Sequence, residues 1–378
     1  MISLNDNQKI KLKTFYTNKQ YSNFEQEIES LGSFEKLPDF LKAGYAGSKI
    51  LNPQSVKRDY KLAVVILGEV YAKNKNIEFL YNLITASIKA ETYTLVLPNL
   101  MESYKDNKKD LRIIEGLAKI NFNLGNIDLS VKYYEQLLKL VPIKKTDGPF
   151  LTYLFSKNYV SNISQQNYFE ECLKIQDIFE NNYSFSYFKR NNTVNKKLKI
   201  GFVSGDFKKH SVGIFFKSFI KRIDKNHFDI SGFSNLELKN HDDETKKIKI
   251  HFNHWYDVFH FTDKKLVETI RSLNLDILID LSGYSYGNRI NVFAARCAPI
   301  QITWLGYNNS TGLKNMDYIL TDPNLIKKNE KALYSEKILY LPKIWNAMEE
   351  PQKLPNFEKH LELADDDFIY GSFNNFKK

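Results

Sequence analysis

The chain has 378 residues, 43% of them apolar, and a formal charge of +10. That length and composition exclude a disordered chain and suit two or three domains with real cores. No apolar run approaches the ~18 residues of a membrane span, and the N-terminal MISLNDNQKIKLKTFY lacks a signal core, so a cytoplasmic protein with no membrane partner is expected.

Lysine is spread along the whole chain and no basic tract is interleaved with aromatics, so the charge gives no reason to expect nucleic acid. The two cysteines, Cys172 and Cys297, lie far apart without metal spacing. They fit a reducing compartment and no disulfide framework.

Residues 1–145 are expected to form helix after helix. The clearest segment is LRIIEGLAKINFNLGNIDLSVKYYEQLLKLVP, residues 111–142. Leu117, Ala118 and Asn121 share one helical face, and Gly125-Asn126 makes a turn. Ser130, Tyr134 and Leu137 line the facing side of a second helix, which Pro142 ends. Small residues at 118 and 130 let the helices approach, with Tyr134 beside them. This resembles a tetratricopeptide repeat, whose period is ~34 residues. Weaker helix pairs precede it, and roughly three to five pairs are expected, since a solenoid needs about three to bury its faces. Residues 146–197 are expected to be a helical connector, with a loop at 159–166, ending in the polar linker FKRNNTVNKK.

From residue 199 the period changes. Short apolar runs at 199–204, 228–235, 256–259, 276–280, 300–304 and 318–320 predict strands. Amphipathic stretches at 213–223, 243–252, 263–273 and 287–296 predict helices. Such alternation predicts a parallel, Rossmann-like sheet over 198–365. Ligands bind such sheets at the carboxyl ends of the strands. Two of those ends are rich in chemistry. KIGFVSGDFKKHSVG, from Lys199, ends a buried strand at Ser204-Gly205-Asp206 and then carries Lys208, Lys209 and His210. LIDLSGYSYGNR, from Leu278, ends at Asp280 and then carries Ser282, Gly283, Tyr284 and Ser285 ahead of a helix. Hydroxyls and free backbone N–H groups there suit an anion such as a diphosphate. No GxGxxG or Walker A pattern is present, so neither a nicotinamide cofactor nor an ATPase is expected.

A third stretch, CAPIQITWLGYNNSTGLKNMDYILTDP from Cys297, is far more specific. Together the three resemble the catalytic region of the protein O-GlcNAc transferase family, which includes the SPINDLY-type proteins of plants. The resemblance covers residues 110–378. It implies an α + α/β chain: a tetratricopeptide-like solenoid followed by one Rossmann-like lobe of a GT-B glycosyltransferase. It implies inverting transfer from a nucleotide sugar to Ser or Thr of proteins, which the repeats present, with no cofactor and no metal. The animal and bacterial members suggest UDP-GlcNAc, the SPINDLY-type members GDP-fucose.

Carried over by position, His210 matches the histidine of a D-F-x-x-H motif, a catalytic base or orienting group beside the sugar. Ser204 and Asp206 match the loop shaping that pocket, and Gly283 and Tyr284 the loop after the fourth strand. Gln301, Trp304, Gly306 and Tyr307 match a cleft wall, and Thr311 and Gly312 its following turn. Asn308 stands where many relatives have Pro, Cys297 where Pro is common, and Tyr284 where His is common. From residue 366 the chain resembles the first strand of a second lobe, the one that carries most nucleotide contacts in the family. Two alternatives follow: a non-catalytic repeat scaffold, or a lobe completed by a separate donor-lobe chain. His241-Asp242-Asp243-Glu244 is expected to cap a helix rather than hold a metal. Neither His251, His254 and His260 nor Asp365-Asp366-Asp367 has a convincing ligand pattern.

Overall fold

Capping side chains mark several of the helix starts along the first third of the chain. In the computed structural model, which describes residues 4–141, 147–182, 197–348 and Gly371, Asn5 opens α1 (Asp6–Thr17) with a capping box to Gln8. Then come α2 (Tyr21–Ser30), α3 (Asp39–Leu51), α4 (Lys57–Asn74), α5 (Ile77–Ala90) and α6 (Tyr93–Asp106). Asp110 accepts the N–H groups of Arg112 and Ile113 and starts α7 (Leu111–Asn123), which α8 (Ile127–Leu140) follows. Each cap satisfies donors that the first turn leaves unpaired.

The α7–α8 pair is built as its sequence predicts. Leu117, Ala118, Ser130, Tyr134 and Leu137 are all buried between the helices. The Ser130 hydroxyl donates to the Ala118 carbonyl at 2.8 Å, so the small residues bring the two backbones together. Residues 1–141 form one compact unit with a continuous apolar core.

The second unit starts at residue 142. Its helices α9 (Asp147–Lys157) and α10 (Gln165–Asn182) precede the sheet. The sheet strands are β1 (Leu198–Ser204), β2 (Phe228–Ser234), β3 (His254–Asp257), β4 (Ile277–Asp280), β5 (Ile300–Trp304), β6 (Tyr318–Thr321) and β7 (Lys337–Tyr340). Between them run α11 (Ser211–Ile220), α12 (Asp243–Lys249), α13 (Asp263–Ser272) and α14 (Ile290–Ala294). All pairings are parallel, in the order β3-β2-β1-β4-β5-β6-β7. Phe202, Phe207, Phe216 and Phe252 form the aromatic centre of one face, together with Trp255. A sheet covered by helices reads as short apolar runs, and this one does.

Three details differ from the expectation. β3 starts two residues early, because His254 and Trp255 already pair with Ser231 and Gly232. α14 is shorter than 287–296, since residues 287–289 are still in the loop. β7 is an additional strand. The linker at 188–196, Asp365-Asp366-Asp367 and, Gly371 apart, the segment from 366 lie outside the described residues.

Candidate active site at the carboxyl edge of the sheet

β1 has β2 on one side and β4 on the other. Strand order therefore reverses between β1 and β4, the switch point at which sheets of this kind form a ligand crevice at their carboxyl ends. Its walls are the loops 205–210 and 281–289.

The first loop folds around its own polar groups. The Ser204 hydroxyl accepts the Asp206 N–H at 2.9 Å. Asp206 is buried, and its carboxyl lies 3.7 Å from His210 Nδ1. Burial raises its pKa, while the charges of His210 and Lys208 oppose the rise. His210 is the N-cap of α11, where Nδ1 accepts the Val212 N–H at 3.3 Å. A neutral imidazole that accepts through Nδ1 carries its proton on Nε2. Nε2 has no partner among the described residues, and the side chain is 45% exposed. The neutral ring therefore offers a donor. Lys208 and Lys209 follow Asp206 on the same loop, and the Lys209 N–H is held by Asp242 at 2.8 Å.

The second loop is anchored from below. Asp280 is fully buried and accepts the N–H groups of Ser282 and Gly283 at 3.1 and 2.7 Å, and the Thr303 hydroxyl at 3.3 Å. Burial pushes its pKa up to about 6 against those three bonds. The two loops touch: a Cβ on Gly205 would lie 2.7 Å from the Gly287 carbonyl oxygen.

Arg289 fastens this edge. Nε donates to Asn235 at 2.9 Å, one terminal nitrogen to Asp263 at 2.6 Å, and the other to the carbonyls of Val258 and Phe261 at 3.1 and 2.8 Å. One guanidinium thus ties together the loops after β2, β3 and β4. Sequence reasoning gave Arg289 no role. The available signal was a lone arginine in a loop otherwise made of Ser, Gly, Tyr and Asn.

Most of the remaining candidates gather behind the crevice. Tyr284 donates to the Thr311 carbonyl, and its ring meets Tyr307 edge to face at 5.2 Å. The Tyr307 hydroxyl pairs with that of Tyr168 and accepts from Asn158 at 3.1 Å. Burial drives the phenols of Tyr284 and Tyr307 above their ordinary range. Glu336, also raised by burial, accepts the N–H of Thr311 at 2.7 Å and the Ser310 hydroxyl at 2.9 Å. Gln301 takes the Cys297 N–H at 2.9 Å and donates to the carbonyls of Phe293 and Asn315 at 2.8 and 2.7 Å. Trp304 donates to the Trp345 carbonyl at 2.8 Å. Gly283, Gly306 and Gly312 sit where a side chain would strike a neighbour. Ser204, Asp206 and His210 thus stand on the first wall loop, and the eight other candidates, with Gly283 and Tyr284 on the second wall loop itself, are fixed by contacts beneath it.

Asp242 caps α12 through Thr245. Among the described residues no three His, Cys, Asp or Glu side chains gather in a way that could hold a metal ion. No described helix is long and apolar enough to cross a membrane.

A family model described as Glycosyl transferase family 41 matches residues 149–369. The chain belongs to this family. Similar proteins include "Probable UDP-N-acetylglucosamine--peptide N-acetylglucosaminyltransferase SPINDLY" of Solanum lycopersicum, 30% identical over 186 residues, covering 48% of this chain and 20% of that protein. The SPINDLY protein of Oryza sativa subsp. japonica is 26% identical over 255 residues, covering 66% and 27%. The protein SEC of Arabidopsis thaliana is 28% identical over 191 residues, covering 48% and 19%. The matched part of this family 41 chain thus spans about a fifth to a quarter of each relative's length. A solved O-GlcNAc transferase from Thermobaculum terrenum shares the fold, with a TM-score of 0.71 and 23% identity over 86% of this chain and 62% of that one.

Proposed function

We propose that this chain carries the repeats and the first catalytic lobe of a protein O-glycosyltransferase, which moves a sugar from a nucleotide sugar to Ser or Thr hydroxyls. The observation that carries this is the family 41 match across the sheet, with His210 on the crevice at its carboxyl edge. The names of these relatives favour UDP-GlcNAc as donor and a peptide as acceptor.

In this proposal the acceptor oxygen attacks the anomeric carbon from the face opposite the diphosphate, which inverts the configuration. The bond to the diphosphate breaks, the diphosphate departs with the electron pair, and the acceptor's proton passes to a departing phosphate oxygen or to water. His210 orients a substrate oxygen by donating from Nε2, as its capping bond through Nδ1 favours. Lys208 and Lys209 add positive potential where the leaving group gains charge. A second lobe, from the same polypeptide or a partner chain, supplies further nucleotide contacts. The repeats present the acceptor protein.

The test uses the native polypeptide with labelled UDP-GlcNAc or GDP-fucose and a Ser-containing peptide. His210→Asn keeps a side chain able to cap α11 but loses the ring donor. We expect transfer from UDP-GlcNAc, and a fall of about 100-fold in kcat/KM for His210→Asn. Transfer from neither donor, or full activity in His210→Asn, would sink the proposal or the role of His210 respectively.

A further inference from the structure

A second cavity, of 390 Å³, opens beside the loop after β5. The rings of Phe155, Tyr159 and Tyr334 line it, and Phe155 meets Tyr159 edge to face at 5.6 Å. Among the described residues lining it, Glu330 alone is charged. One Glu330 oxygen accepts the Lys327 N–H at 2.9 Å, and the other has no partner among the described residues. The negative charge is felt at the cavity wall. Burial, and then the charges of Glu330 and Glu336, push the Tyr334 phenol up to about 12.

Aromatic faces beside a carboxylate attract a cation, and the described lining residues include no lysine or arginine with which an anion could pair. One layer of chain separates the cavity from the crevice. Gly306 lines it, and a Cβ on Gly306 would lie 3.3 Å from Val212, whose N–H is bound by His210. An extended peptide advances about 3.3 Å per residue, so a chain held at His210 reaches the cavity within a few residues.

We propose that this cavity is a specificity pocket for an arginine or lysine side chain of the acceptor polypeptide, a few residues from the modified hydroxyl. This rests on the protein-acceptor function proposed above, and it adds a selectivity which that function does not require.

The test is fluorescence anisotropy on the full chain with labelled peptides. Each holds one Ser and, at two to four residues from it, Arg, norleucine or Glu. Glu330→Gln removes the charge while its amide oxygen can still accept the Lys327 N–H. We expect the best Arg peptide to bind about tenfold tighter than its norleucine counterpart, and the Glu peptide weakest. Glu330→Gln should abolish most of the Arg advantage and leave norleucine binding unchanged. Equal binding of Arg and norleucine peptides, or an Arg preference that survives Glu330→Gln, would overturn the pocket. So would chitobiose occupying the cavity without any Arg preference, which would assign it to a saccharide. Binding needs no donor, so the two proposals fail separately. An Arg preference without transfer leaves the pocket standing, and transfer without preference leaves the function standing.

Discussion

Position 312 admits no side chain, for two reasons that can be separated. Gly312 has φ +66°, and a Cβ there would lie 2.1 Å from the Cys172 carbonyl oxygen of α10. Gly287 has φ +78° but would meet nothing closer than 3.5 Å. Alanine at 287 therefore costs only the backbone strain, about 1 kcal/mol. Alanine at 312 adds a clash with backbone that cannot rotate away, and is expected to cost about 3 kcal/mol. Urea midpoints of Gly287→Ala and Gly312→Ala measure the difference. If both fall equally, α10 is not packed on this turn. The same reasoning applies to the eight candidates beyond the first wall loop. Their types are set by contacts behind the crevice, and a motif in a sequence does not tell a residue that touches a substrate from one that holds the loop beneath it.

Among the elements, loops carry the site, and Arg289 joins three of them. A lysine there could reach Asp263 but not Asn235 and two carbonyls as well, because one ammonium lacks the planar fork of a guanidinium. Arg289→Lys should therefore speed amide exchange in the loops after β2, β3 and β4 about tenfold or more, while the strands keep their protection. Hydrogen exchange read by mass spectrometry decides it. Equal acceleration in strands and loops would mean that Arg289 supports the whole unit rather than its edge. Six strands were legible because each is an apolar run that ends in a polar loop. β7 was not, since KILY lies at the sheet edge and its residues are exposed or half-buried. Nor was the docking of α9 and α10, because the Asn158–Tyr307 bond joins residues 149 positions apart. The crevice was legible from the two polar strand ends. The aromatic cavity was not, since its walls come from three separate stretches of chain.

Across the molecule, the described residues of the sheet unit hold three carboxyls whose burial raises their pKa: Asp206, Asp280 and Glu336. The sign follows from proton counting. Asp280 titrates at about 6 in the folded chain, against an ordinary 3.8. Between those values the folded state keeps a proton that the unfolded state has released, so stability falls as pH rises through that window. Asp206 and Glu336 act in the same direction. Other groups act oppositely at the acid end. Against a partial loss of water, Asp242 is held low by the N–H groups of Lys209 and Thr245, and hydrogen bonds from Lys217 and Lys247 lower Glu244. Their contributions are lost as pH falls through these depressed values. The sheet unit should therefore be more stable at about pH 5 than near neutrality. All three tryptophans, Trp255, Trp304 and Trp345, lie in that unit, so their fluorescence reports it without interference from the repeats. We expect Asp280 alone to make the unit about 1 kcal/mol more stable at about pH 5 than at about pH 7.5. Urea midpoints followed by that fluorescence should rise on acidification to about pH 5, and Asp280→Asn should remove that share of the rise. A midpoint that falls steadily from neutral to acid, or a rise undiminished in Asp280→Asn, would mean that Asp280 stays ionised behind the crevice, held so by the N–H groups of Ser282 and Gly283.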